Sequence, residues 1–173
     1  MTVSDNVEND GAESCLPAGK PKEGHCVDYK LLASHFRESL GLHNDAINWL
    51  LDAFFASQIF DDFADGDRVE RSDLDHLIYV TLVKMPTNPF YRANDIELSS
   101  VLSNVILKWH ASDVAEREGG ADEVSFVWRA AFYDLVLPVV RICRGVDFAR
   151  DNAVTVLKMY GETFESYKEE FCK

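Results

Sequence analysis

Residues 44–67 read NDAINWLLDAFFASQIFDDFADGD. Apolar residues recur at Ile47, Leu50, Leu51, Phe54, Phe55 and Ile59. Steps of three and four place them on one face of an α-helix; a half-buried strand would alternate instead. Asn44 is suited to cap the start, because its side chain can accept from an orphan amide. Gly66 is suited to end the helix. A helix of this kind is stable only when its apolar face packs on another element. The fold therefore depends on whether the flanking sequence supplies similar faces.

Both flanks do. Leu31, Leu32, His35, Phe36 and Leu40 predict a helix over 28–40, closed by Gly41. Beyond Gly66, Ser72 and Asp75 open a helix carrying Leu74, Leu77, Ile78, Val80, Leu82 and Val83. Pro86 and Asn88-Pro89 are expected to stop it, since a residue before proline avoids the helical region. Asn94 with Glu97 resembles a capping box for a fourth helix ending at Gly119-Gly120. A fifth is expected over 121–144, kinked near Asp134 by Pro138 and closed by Gly145. A sixth covers 147–171, with Val154, Leu157, Tyr160, Phe164 and Tyr167 on its buried side and Gly161 as a mild weakness. The stretch 78–83 is β-branched, but its flanks fit a helix. The expected fold is all-α, a single bundle of about six helices over residues 28–173. Residues 1–27, polar and acidic with Pro17 and Pro21, read as a flexible, disordered arm.

Composition narrows the function classes. The chain has 173 residues, 30 acids against 17 bases, and a net charge of -13. A hydrophobic fraction of 47% is too high for a disordered acidic chain. The charge argues against non-specific nucleic-acid binding, which requires cations to displace counterions from phosphates, and against anionic lipid. No apolar run long enough to span a membrane occurs, nor an apolar signal-peptide core, so a cytoplasmic location is expected. Cys143 lies in an apolar run and reads as a buried thiol. Cys15, His25 and Cys26 match no standard zinc spacing.

The negative charge is concentrated. Residues 61–75 hold seven acids against two bases, and 112–123 hold five against one. Segments 76–111 and 124–158 are net positive, so a local basic face remains open. Asp61, Asp62, Asp65 and Asp67 occupy the carboxyl end of a helix, where negative charge costs up to about 1 kcal/mol each. Asp61 and Asp65 are also an i,i+4 like-charge pair. A divalent cation, the nearby Arg68 and Arg71, or a basic partner could offset the repulsion.

Two resemblances bear on the choice. Asp61-Asp62-Phe63-Ala64-Asp65 reads DDxxD and resembles the aspartate-rich motif of class I isoprenoid and terpene synthases. That likeness implies an all-α fold, Asp61, Asp62 and Asp65 as Mg²⁺ ligands, and a diphosphate substrate. Asn104, Lys108 and Asp134 would then be second-layer or phosphate contacts, with His110 and Asp113 one turn apart nearby. The second metal motif of those enzymes is not reproduced. Trp49-Leu50, Gln58, Asp61-Asp62-Asp65-Gly66-Asp67, Asn88-Pro89-Phe90-Tyr91 and Trp109-His110 together resemble a family of small phage and prophage proteins. This second likeness spans most of residues 45–118 and implies a phage setting without a biochemical activity.

The favoured expectation is an acidic phage-type accessory protein acting by protein–protein interaction, with a basic nucleic-acid-binding protein as a plausible target. Asp67, Glu70, Asp73, Glu116 and Glu118 would form the contact surface. A Mg²⁺-dependent enzyme acting on a diphosphate or nucleotide, and a virion structural component, remain alternatives. A homo-oligomer is compatible with each of them.

Overall fold

A computed structural model of the protein describes residues 29–171; the arm expected over 1–27 lies outside them, as do Cys15, His25 and Cys26. Every regular element among the described residues is helical, as the apolar spacing requires. The helices are α1 (Tyr29–Ser34), α2 (Asn44–Ala64), α3 (Arg71–Tyr79), α4 (Met85–Thr87), α5 (Pro89–Ala93), α6 (Asp95–Arg117), α7 (Glu123–Arg129), α8 (Phe132–Arg144), α9 (Val146–Leu157) and α10 (Phe164–Phe171). Wider π turns extend α1 over His35–Ser39 and α3 over Val80–Lys84, and a 3-10 turn, Lys158–Tyr160, follows α9.

The bundle is built around α2. Ala46, Ile47, Trp49, Leu50, Ala53 and Phe54 are buried along one stripe of it. α8 answers with Tyr133, Leu135, Val136, Val139 and Val140. Phe36, Phe90, Leu98 and Val156 close the core from the first π turn, α5, α6 and α9. Truncating a residue such as Leu50 to alanine would leave a cavity costing about 2–5 kcal/mol. A smaller cluster of Ala56, Ile59 and Leu77 fastens the second half of α2 to α3. The last turn of α2 therefore projects past the main core, carrying the aspartates with it.

Several local expectations change. His43, not Asn44, caps α2: its Nδ1 accepts from the Ala46 amide at 3.4 Å. Pro86 does not stop the third helix. It sits in α4 directly after the π turn, where the backbone is already wider than an α-helix and the i−4 carbonyl is not presented to the missing N–H. Asn88-Pro89, the other expected stop, ends it. The Asn88 carboxamide oxygen accepts from the Phe90 and Tyr91 amides and its Nδ2 donates to the Asp45 carbonyl at 3.0 Å. Phe90 is buried and Tyr91 stacks on Trp49 with ring centroids 5.5 Å apart, so this stretch is a structural staple. The Asn94–Glu97 capping box does not form, because Asn94 donates back to the Phe90 carbonyl and Glu97 pairs with Arg141.

The expected fifth and sixth helices each divide. The fifth breaks at Ala130-Ala131, well before the carbonyl that Pro138 would disturb. The sixth ends at Gly161, which takes a left-handed φ of 78°, so this glycine is a terminator and not an interior weakness. Val154 and Leu157 of the expected buried face are exposed, while Val156 and Tyr167 are fully buried. On α3 and its π turn, Leu77 and Val80 are buried, but Ile78, Leu82 and Val83 face solvent.

Candidate functional site

The two breaks bring distant charges to the end of α2. Asp61 turns inward, and its Oδ1 accepts from the Trp109 indole N–H of α6 at 2.7 Å. Its Oδ2 lies 4.0 Å from Nη2 of Arg129, the last residue of α7. Arg129 Nη1 donates to Glu116 at 2.9 Å, and its Nε stands 3.9 Å from Glu162. Glu116 and Glu162 are each only 7% exposed and Arg129 is 20% exposed. Ser112, also buried, donates to the other Glu116 oxygen at 2.7 Å. The Tyr160 hydroxyl donates to Glu162. The ring of Phe171 packs under the guanidinium at 4.9 Å.

Local sequence explains this presentation. On α6, Trp109, Ser112 and Glu116 are spaced by three and four residues and share a face. α7 starts at a capping box in which Asp122 accepts from the Val124 and Ser125 amides, each at 2.9 Å, and Ser125 returns the bond to the Asp122 amide. The buried Ser125 hydroxyl also meets the Tyr167 hydroxyl at 2.8 Å, which ties α10 to α7. The Ala130-Ala131 break leaves Arg129 at a helix end, free of the apolar stripe of α8.

Electrostatics follow from the arrangement. Burial opposes the charge of Arg129, but Glu116, Tyr160, Asp61 and Glu162 outweigh it and hold the guanidinium protonated well above its usual range. Burial, with the Glu162 hydrogen bond, raises the Tyr160 hydroxyl far above its ordinary value. Asp65 has an open outer edge, yet the groove wall removes part of its solvent and Asp61 adds like charge; its carboxyl is raised from the usual value. One guanidinium thus faces three carboxylates, with Asp65 close behind.

Asp61, Trp109, Arg129, Tyr160 and Glu162 of this cluster line a groove of about 1500 Å³. Eight carboxylates line it, among them Asp61, Asp62, Asp65, Asp67, Glu70 and Asp73, against the guanidinium groups of Arg68 and Arg129. Phe60, Phe63, Leu102, Val105 and Ile106 supply apolar walls, and Gln58 and His110 also face in. Arg68 and Arg71 do not neutralise the helix end as expected. They pair at the surface with Glu70 and Asp75, at 2.9 Å each. Among the described residues no ion pair engages Asp62 or Asp65.

The sequence-derived site divides accordingly. Asp61, Asp62, Asp65, Asp67, Glu70 and Asp73 share the groove. Glu116 is not a contact-surface residue; it is buried beneath Arg129 and Ser112. Glu118 is exposed at the end of α6. Asn104, Lys108 and Asp134 come together, but in a separate depression of about 500 Å³ walled by Val101, Ala111, Trp128 and Pro138. There Lys108 pairs with Asp134 at 2.5 Å. Asp134 therefore does not face the aspartates, and these residues form no second layer around them. Asp113 is engaged by Arg117 at 2.8 Å, and His110 lies against the Trp109 ring, with centroids 4.9 Å apart. No group of three His, Cys, Asp or Glu residues placed to hold a metal ion occurs among the described residues. Sequence reasoning missed Arg129, Tyr160 and Glu162. The available signal was Arg129 itself, a charge interrupting the apolar run 126–143.

Comparison of the chain with protein-family models, curated proteins and solved structures yields no match. No helix among the described residues is long and apolar enough to cross a membrane.

Proposed function

We propose that the protein is a binding module that docks a basic, apolar-anchored segment of another protein in the groove beside α2. The carrying observation is the imbalance in that groove: eight carboxylates against two guanidinium groups, of which Arg129 already serves Glu116 and Arg68 already serves Glu70. Opposite charge on a partner would raise its encounter rate and exclude acidic competitors. The walls at Phe60, Phe63 and Ile106 would provide the contact area that charge alone does not. A nucleic-acid-binding protein is a natural class of target, since its basic face is made for an array of negative charge. The phage-type setting, in the host cytoplasm, is supported by the sequence resemblance.

The test is a titration of a labelled basic amphipathic peptide into the full chain at low and high salt. Screening over a Debye length of about 10 Å at 0.1 M should weaken binding several-fold between 50 and 300 mM salt, and Asp62→Asn with Asp73→Asn should flatten that dependence. An affinity indifferent to ionic strength would overturn the reading.

A further inference from the structure

We propose that residues 18–27 of this chain occupy the groove themselves and hold it until a more basic partner displaces them. The path of the chain carries the argument. α1 and its π turn lead through residues 40–43 into the start of α2, yet Tyr29, the first residue of α1, sets its ring edge-on to Phe54, with centroids 5.4 Å apart. α1 therefore runs back along α2, antiparallel to it. Phe54 is part of the groove wall, as is Phe132, which packs on Phe54 at 5.0 Å. The chain before Tyr29 thus begins at the Phe54 end of the groove. Continued backwards, the direction of α1 leads beside α2 toward Asp62 and Asp65.

Length and charge both fit. Asp62 stands eight residues beyond Phe54 on α2, about 12 Å along the helix axis. Lys22 precedes Tyr29 by seven residues and Lys20 by nine. At about 3.3 Å per residue these reach about 23 and 30 Å, so neither needs a fully extended chain. Residues 1–17 carry four acids and no base, whereas residues 18–27 carry Lys20, Lys22 and His25 against Glu23 alone. Eight carboxylates line the groove, so the near part of this segment is drawn to it and the far part is repelled. Cys26 and Val27, both apolar, would extend the contact that Tyr29 makes on Phe54. Two lysines bind weakly by themselves, but a tether this short holds them at an effective concentration of about 1 mM. An outside segment must then carry more positive charge, or a larger apolar anchor, to enter. This competition rests on the groove being the docking site for a basic segment.

Zero-length carbodiimide coupling of the full chain, followed by peptide mapping, reads the contact. Lys84 with Asp52 and Lys108 with Asp134, paired at 2.7 and 2.5 Å, serve as internal standards. Lys20 or Lys22 should couple within one chain to Asp62, Asp65, Asp67 or Asp73, and the yield should fall several-fold on raising the salt. Coupling of both standards without any link from Lys20 or Lys22 to these four carboxylates would overturn the proposal. So would links found only between chains in a mixture of isotopically light and heavy protein, which would assign the contact to a second copy. In parallel, Lys20→Ala with Lys22→Ala should raise the affinity of the full chain for the labelled basic peptide several-fold at low salt. An unchanged affinity would overturn the competition and leave the groove reading standing. Peptide binding absent from both chains would overturn the groove reading and the competition with it.

Discussion

Replacing Arg129 by methionine is the sharpest probe of the site's architecture. The substitution keeps much of the aliphatic volume and removes the guanidinium from among Asp61, Glu116 and Glu162. The 2.9 Å bond to Glu116 carries most of the effect, because the other two contacts, at 3.9 and 4.0 Å, are longer and the Asp61 carboxylate is more open. Orphaning a buried charge in this way costs about 3–5 kcal/mol. For a domain whose whole stability is about 5–15 kcal/mol, that is a large fraction. At about 2–4 °C per kcal/mol for a chain of this size, the melting temperature should fall by roughly 6–20 °C. The cost comes from the stranded carboxylates, so adding Glu116→Gln to Arg129→Met should restore part of it, the amide still accepting from Ser112. Thermal and urea melts of the single and double variants read the fall and its recovery. A loss below about 1 kcal/mol, or no recovery on adding Glu116→Gln, would refute the picture of a buried charge cluster.

Other variants test separate features. Burial and the neighbouring Asp61 raise the Asp65 carboxyl, so the native state keeps a proton that the unfolded chain releases. Stability should decline as pH rises from the ordinary carboxylate value through the raised one. Asp65→Asn should remove that slope in thermal melts across the acid range and stabilise the protein at neutral pH by about 0.3–1 kcal/mol through relief of the helix end. Gly161→Ala should cost about 1–2 kcal/mol from its left-handed backbone alone, because the added carbon meets only the Met159 carbonyl, at 3.8 Å; an unchanged urea midpoint would contradict that terminator role. Ser125→Ala should cost about 1–3 kcal/mol through the cap and the Tyr167 contact. A double-mutant cycle with Tyr167→Phe would show coupling between them, and strict additivity would speak against the α7–α10 tie.

How far the sequence could be read depended on the range of the interactions involved. The stripe from Ile47 to Phe54 identified α2 because three- and four-residue spacing is a local property of the chain. Gly119 and Gly145, both at positive φ, ended their helices for an equally local reason. Local reasoning failed where a neighbour in space claimed the same group. Asn94 had the sequence of a cap but donates to Phe90. Pro86 had the sequence of a stop but follows a π turn that tolerates it. Gly161, at a φ of 78°, ends its helix for the same local reason as Gly119 and Gly145, whereas no glycine or proline marks the break at Ala130-Ala131.

The acidic end of α2 shows the same division most clearly. Its charges and their crowding were legible in the chain from the outset, and with them the need for something to offset the repulsion. The identity of the neutralising group was not, because α3 to α7 separate Asp61 from Arg129 in the chain and Glu162 lies beyond α8 and α9. Composition and periodicity determined an all-α bundle with its negative charge at two junctions. Only tertiary packing decided that Glu116 would be buried, that Asp134 would face a different depression, and that Arg129 would answer Asp61. Helix periodicity acts over a few residues along the chain, whereas a charge finds its partner through space once the core has placed both.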